Sequence, residues 1–192
     1  QGFFDRAAAL LHGKLSQGSI FGFKDPRASK LLPFWQKVVL TEKIQTKYIV
    51  VIRNPISVAK SLEARNGFDK RKSFLLWYSH QLQILMSIGG IDLTFVDYDN
   101  FVNDAHQEIE RMSKSLELAF DEVAFHKFSA EFLDVRLRHS MVKLDRDREI
   151  SNDTPYSKMY EELLFFASYA TYDSVKLQGK IDDWAFEFSI LQ

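Results

Sequence analysis

Two stretches of the chain share one local design: apolar residues, then a cation, then an Asx-Pro pair, then a helical pattern. They are Phe21-Gly-Phe-Lys24-Asp25-Pro26-Arg27 and Val50-Val-Ile-Arg53-Asn54-Pro55-Ile56. In each, the Asx side chain is expected to cap the helix that follows, and proline fits the first turn, where its missing N–H does no harm. Lys24 and Arg53 are therefore expected at the carboxyl ends of strands, beside free backbone N–H groups and the positive end of a helix dipole. If both strands belong to one parallel sheet, the two cations face one crevice, at the edge where open α/β sheets hold ligands. Such a pair suits a phosphate- or sulfate-bearing ligand, arginine through planar two-point recognition and lysine as a mobile point charge. Ser61 follows Arg53 by eight residues, on the polar side of the same predicted helix, where an arginine side chain folding back reaches it. The competing arrangement pairs Lys24 and Arg53 with Asp25 or another surface acid and leaves Ser61 solvated; spacing alone leaves both open.

The elements that must position these residues alternate between helical and strand patterns. A helix is predicted over Phe3 to Leu15, ending near Gly18, then a short buried strand over Ser19 to Phe23 and a helix over Arg27 to Lys37. Lys47 to Ile52 is β-branched and nearly all apolar, which predicts a strand covered on both faces. Pro55 to Arg65 sets Ile56, Val58, Ala59 and Leu62 against Ser57, Lys60, Ser61 and Arg65, with Asn66-Gly67 as the stop. A long helix over Asp69 to Ile88 closes at Gly89-Gly90, Leu93 to Asp97 is a third strand, and an amphipathic helix runs from about Asn100 to Leu118. Strands separated by helices predict a parallel sheet and an α/β fold. After Asp121 the strand signals vanish. Asp134 to Asp153 carries equal numbers of acids and bases and reads as solvated loop and helix surface. Tyr156 to Ala170 and Ile181 to Leu191 have a Phe-rich helical periodicity that is expected to pack onto the domain. Residues 121–192 are thus the helical portion of a single domain spanning 1–192.

Composition narrows the classes further. With 192 residues, 46% of them hydrophobic, and with 17 Phe, 7 Tyr and 3 Trp, the chain has ample material for a core, and wholesale disorder is excluded. Cysteine is absent, which removes thiol nucleophiles, disulfide scaffolds and cysteine metal sites and makes the cytoplasm the expected compartment. Lys and Arg total 25 against 26 Asp and Glu, so there is no global field to draw nucleic acid or an anionic membrane, and any anion site is local. The longest apolar runs, Tyr48 to Ile52 and Leu163 to Ala170, fall far short of the roughly 20 residues of a membrane helix. His12, His80, His106, His126 and His139 are scattered without a ligand-spaced pair, so no metal is expected. The opening Gln1-Gly2-Phe3-Phe4 has no initiator methionine or signal core, and the chain is expected to be a piece of something longer.

Three segments, Gly22 to Arg27, Ile52 to Leu62 and Val96 to Asp104, resemble in type and order the sulfotransferases that use 3′-phosphoadenosine 5′-phosphosulfate (PAPS). The resemblance covers roughly Gly22 to His139, because Phe132-Leu-Asp-Val-Arg-Leu-Arg-His139 is also similar to a stretch of bacterial carbohydrate-type members. Its most specific part is the middle segment, in which the family places an Arg at a strand end and a Ser eight positions on, here Arg53 and Ser61, around the nucleotide's 3′-phosphate. The resemblance further implies that Lys24 stands near the transferring sulfuryl group and that Tyr98 touches the adenine. It implies a P-loop NTPase-like parallel sheet flanked by helices, PAPS as co-substrate, adenosine 3′,5′-bisphosphate as product, and a hydroxyl or amine acceptor, with carbohydrate favoured over a small phenol. Sulfuryl transfer, like phosphoryl transfer, leaves little covalent work for the protein, so positioning and charge stabilisation carry it.

The chain departs from the family at three places. Nothing before Lys24 resembles the Gly-rich loop that cradles the 5′-phosphosulfate. The general base that precedes the lysine in some branches has only Asp5 and His12 as candidates, with Asp25 a further one whose capping role is favoured. The Arg-Lys-Gly loop of the cytosolic branch has only a loose counterpart in Lys176 to Lys180. Loss of an N-terminal segment is the preferred explanation of the missing loop. Two alternatives stay open: a non-catalytic nucleotide- or glycan-binding relic of the fold, and a P-loop kinase-like phosphotransferase that would need magnesium.

Overall fold

The computed structural model describes residues 2–18, 20–88, 93–133, 154–168 and 174–191. Its organising feature is a parallel pair of strands, β1 (Tyr48–Ile52) and β2 (Leu93–Asp97), in a register that runs from Tyr48 opposite Leu93 to Ile52 opposite Asp97. Parallel neighbours need a crossover, and α3 (Pro55–Asn66) and α4 (Lys70–Ser87) supply it. The crossover is punctuated by local chemistry. Gly67, at φ 65°, takes the left-handed conformation that ends α3, and the Asp69 carboxylate accepts the Lys72 N–H at 2.8 Å to start α4.

Before the strands lie α1 (Phe3–Leu15) and α2 (Ala28–Thr41). After them come α5 (Tyr98–Asn103), α6 (Ala105–Ser115), α7 (Glu122–Phe132), α8 (Pro155–Ala167) and α9 (Ser174–Leu191). The main core gathers Val50 and Ile52 of β1, Phe95 of β2, Trp77, Tyr78 and Leu85 of α4, Met159, Leu163 and Phe166 of α8, and Ile181 and Trp184 of α9. The Phe-rich periodicity of the C-terminal portion therefore packs onto the domain, as expected. A second, smaller cluster joins Ala7, Ala8 and Leu11 of α1 to Val38 of α2. Among the described residues no helix is long and apolar enough to cross a membrane.

The α/β class and the parallel pairing follow the sequence expectation, but several elements differ. Residues 20–23 are not a buried strand: they carry no strand pairing, and Ile20, Phe21 and Phe23 are exposed. Their rings find partners along α1 and α2 instead, Phe23 on Trp35 at 5.4 Å and Phe21 under the Lys14 ammonium at 5.9 Å. β1 is covered on one face only, since Ile49 and Val51 remain 45% and 51% exposed, whereas β2 is buried at every position. The helix expected from Asn100 to Leu118 breaks at Asp104, whose backbone leaves the helical region at φ −139° and whose carboxylate caps α6 by accepting the Gln107 N–H at 3.0 Å. Lys176 to Lys180 lies inside α9 and is no loop. The sheet among the described residues has two strands. The Gly89-Gly90 stop, Asp134 to Asp153 and all but the first two residues of Phe132 to His139 lie outside the described residues.

Candidate functional site

Arg53 is the residue that leaves β1, and Tyr98 is the residue that leaves β2. Because the strands are parallel and Ile52 stands opposite Asp97, the two emerge side by side at the carboxyl edge of the pair. The Arg53 guanidinium lies over the Tyr98 ring, 4.4 Å from its centroid, within the range of a cation–π contact.

Local chemistry holds this arrangement. Asn54 has non-helical dihedrals, and its Oδ1 accepts the Ile56 N–H at 2.8 Å, so it caps α3 with Pro55 in the first turn. The Arg53 carbonyl accepts the indole N–H of Trp77 at 3.0 Å, which ties the strand end to α4. The guanidinium Nε is buried and has no hydrogen-bond partner. A buried donor of this kind is costly to leave unmade, and it makes Arg53 receptive to an acceptor brought by a ligand.

The same corner contains acids. Asp97 is buried, and its Oδ1 accepts the Asp99 N–H at 3.0 Å. Burial pushes the Asp97 carboxyl above the ordinary carboxylate range, opposed by that N–H and the Asn100 N–H, with Asp99 and Glu108 adding repulsion. Burial likewise raises Asp99, opposed by the Arg53 charge. From α8, the Tyr160 hydroxyl is pushed up by burial and by both aspartates, and its ring stands edge-on to Trp77 at 6.3 Å.

Of the four residues singled out in the sequence, Arg53 and Tyr98 come together, while Ser61 and Lys24 stay solvent-exposed, Ser61 on α3 and Lys24 in the segment that leads into α2. Arg53 turns to Tyr98 rather than back along α3. With no strand before it, Lys24 does not occupy the strand end expected for it. Asp25 is not the cap of α2 either: it accepts the Arg27 N–H at 2.8 Å and grips the Arg27 guanidinium at 2.9 and 2.7 Å, and the helix begins only at Ala28. The Arg27 guanidinium holds the Asp25 carboxyl far below the usual range. That pairing disfavours Asp25 as a general base.

Sequence reasoning missed Asp97, Asp99, Trp77 and Tyr160. The first two had a signal, since acids flank Tyr98 on both sides at a strand end. Trp77 and Tyr160 had none, as they reach the corner only through tertiary packing. A concavity of about 420 Å³ lined by Asp69, Arg71, Lys72, Leu75 and Phe188 lies between α4 and α9 and includes none of the four predicted residues; the Arg53 corner differs from it in carrying a buried, unsatisfied side-chain donor. Compared with known proteins, the chain matches no family model, no curated protein and no solved structure.

Proposed function

We propose that the chain is a PAPS-dependent sulfotransferase domain of the cytoplasm that transfers a sulfuryl group to a hydroxyl or amine, with a carbohydrate as the acceptor. The observation that carries the reading is the meeting of Arg53 and Tyr98 at the aligned ends of two parallel strands. These residues come from two of the three segments that resemble the sulfotransferases, 45 positions apart (98 less 53). In this reading Arg53, with its unsatisfied Nε, takes the 3′-phosphate together with Ser61, and Tyr98 offers its ring to both the guanidinium and the adenine. Lys24, exposed and mobile as a point charge, closes on the transferring group and stabilises the charge developing on the bridging oxygen.

A second reading has one observation in its favour. Two of the three residues assigned to nucleotide binding, Arg53 and Tyr98, converge, while the residue assigned to transfer, Lys24, stands exposed outside their contact. A nucleotide-binding module without transfer chemistry needs only the converging pair.

The deciding experiment is thermal stability with adenosine 3′,5′-bisphosphate against adenosine 5′-monophosphate. At 100 times the dissociation constant, binding adds about 2.7 kcal/mol, or roughly 5 to 10 °C for a chain of this size. The bisphosphate alone is expected to shift the midpoint, and Arg53→Ala to remove the difference between the two nucleotides. Equal shifts with both nucleotides, or a preference that survives Arg53→Ala, overturn the assignment. Sulfate transfer from PAPS to a panel of saccharides then separates the enzyme from the binding module.

A further inference from the structure

Arg53 stands just past the ladder, whose last pair is Ile52 and Asp97, and just before Asn54, which caps α3. Its carbonyl therefore belongs to neither the sheet nor the helix, and a backbone acceptor in that position needs a partner of its own. The indole N–H of Trp77 supplies it at 3.0 Å. Trp77 is 5% exposed and sits on α4 within the main core, with its ring edge-on to Tyr160 at 6.3 Å. A buried indole is apolar over most of its surface and carries one donor. Here that donor goes to the residue whose guanidinium lies over Tyr98, 4.4 Å from the ring centroid.

Arg53 is thus held at both ends. Tyr98, the residue after β2, supports the guanidinium, and Trp77 pins the peptide between Arg53 and Asn54 from α4. The Nε between these two anchors is buried and has no hydrogen-bond partner. Turning that peptide swings the Arg53 side chain relative to Tyr98, and two-point recognition of a phosphate by arginine tolerates little displacement. Without the indole N–H the Arg53 carbonyl loses its partner, and nothing from α4 holds the peptide in place.

We infer that Trp77 is the positioning residue for the phosphate site: by donating its indole N–H to the Arg53 carbonyl it fixes the backbone from which the guanidinium reaches Tyr98. The inference rests on the reading of Arg53 as the ligand of the nucleotide's 3′-phosphate. It makes the choice between nucleotides with and without that phosphate depend on a buried tryptophan of the crossover, acting through Arg53 rather than by contact with the nucleotide.

The test is the ratio of affinities for adenosine 3′,5′-bisphosphate and adenosine 5′-monophosphate, measured by titration calorimetry on the wild-type chain and on two replacements at position 77. Trp77→Phe keeps an aromatic ring and deletes the donor. The second replacement is benzothienylalanine, an isostere of tryptophan with sulfur in place of the N–H; it keeps the volume of the ring in the core and carries the comparison should Trp77→Phe fail to fold. Both are expected to lower the wild-type preference for the bisphosphate by about fivefold, the effect of one hydrogen bond. On an Arg53→Ala background the isostere is expected to change the ratio no further. An unchanged ratio with the isostere, whether or not both affinities fall together, overturns the role of Trp77 and leaves Arg53 as assigned. A further fall on the Arg53→Ala background means that Trp77 acts elsewhere and overturns it as well. Absence of any preference for the bisphosphate in the wild type overturns the Arg53 assignment, and the role of Trp77 with it.

Discussion

His80 stands where α4 faces the first turn of α2, with its Nδ1 2.6 Å from the Ser29 hydroxyl. That hydroxyl also approaches the Pro26 carbonyl at 3.4 Å, so one side chain links α4 to the turn that carries Lys24 and Asp25. Burial lowers the imidazole's pKa, and the neighbouring Lys30 charge lowers it further. The unfolded chain then binds a proton near the ordinary value of about 6.5, while the folded chain resists it until lower pH. Stability contributed by neutral His80 is thus present above about pH 6.5 and is lost as pH falls toward the depressed value. Urea midpoints of the wild type are expected to drop between about pH 7.5 and 5.5 more steeply than those of His80→Gln, whose amide still meets Ser29. Equal slopes would assign the acid sensitivity to another group. At this scale the sequence is legible where chemistry follows a strand directly, as at Arg53 and Tyr98. It is opaque to Ser29 and His80, whose separation of 51 residues leaves no periodic trace.

β1 illustrates what an element discloses and what it withholds. The run Tyr-Ile-Val-Val-Ile identifies a strand, but a continuous apolar run has no alternation from which to count covered faces. The distinction comes from the helices: α8 reaches both strands, while α5 and α6 cover β2. On the outer side of β2, Arg111 donates to the Phe95 carbonyl at 2.7 Å. Val50 is accordingly 4% exposed and Val51 51%, adjacent residues of one type with opposite burdens. Val50→Ala is expected to cost about 2 kcal/mol through lost burial and a cavity, and Val51→Ala less than about 0.5 kcal/mol. Denaturant titration of the two variants reads the difference, and similar costs would mean that the outward face is covered. The same limit explains residues 20–23, whose apolar pattern is satisfied by ring contacts with α1 and α2 rather than by a ladder. It does not affect α8 and α9, where burial of Met159, Leu163 and Phe166, and of Leu177, Ile181 and Trp184, follows the helical spacing.

At the scale of the whole molecule, a parallel pair of strands is too small to stand alone, and its stability comes from the helices that enclose it. Alternation of elements discloses the class; it does not disclose how many strands pair, because pairing is a long-range event that local patterns do not encode. The described residues gather into two apolar clusters of unequal size, and α2 bridges them. Its hydrogen bonds between Ser29 and His80, from the Lys30 ammonium to the Ser79 hydroxyl at 2.8 Å, and from Gln36 to the Ser87 carbonyl at 2.7 Å bind it to α4. By contrast α1 buries only Ala7, Ala8 and Leu11, and its link from His12 to Glu42 at 2.8 Å is exposed enough to contribute little. Opening α1 therefore sacrifices the small cluster and leaves the main core intact, which is the condition for sub-global opening. In native-state hydrogen exchange, amides of α1 are expected to exchange with a smaller opening free energy than those around Leu82 and Leu85 in α4. Leu11→Ala is expected to lower the protection of α1 by about 2 kcal/mol or more while leaving β1 and α4 unchanged at low denaturant. If α1 and α4 share one opening free energy in the wild type, the two clusters form a single cooperative unit, and the turn bearing Lys24 is then held by the whole fold rather than by α2 alone.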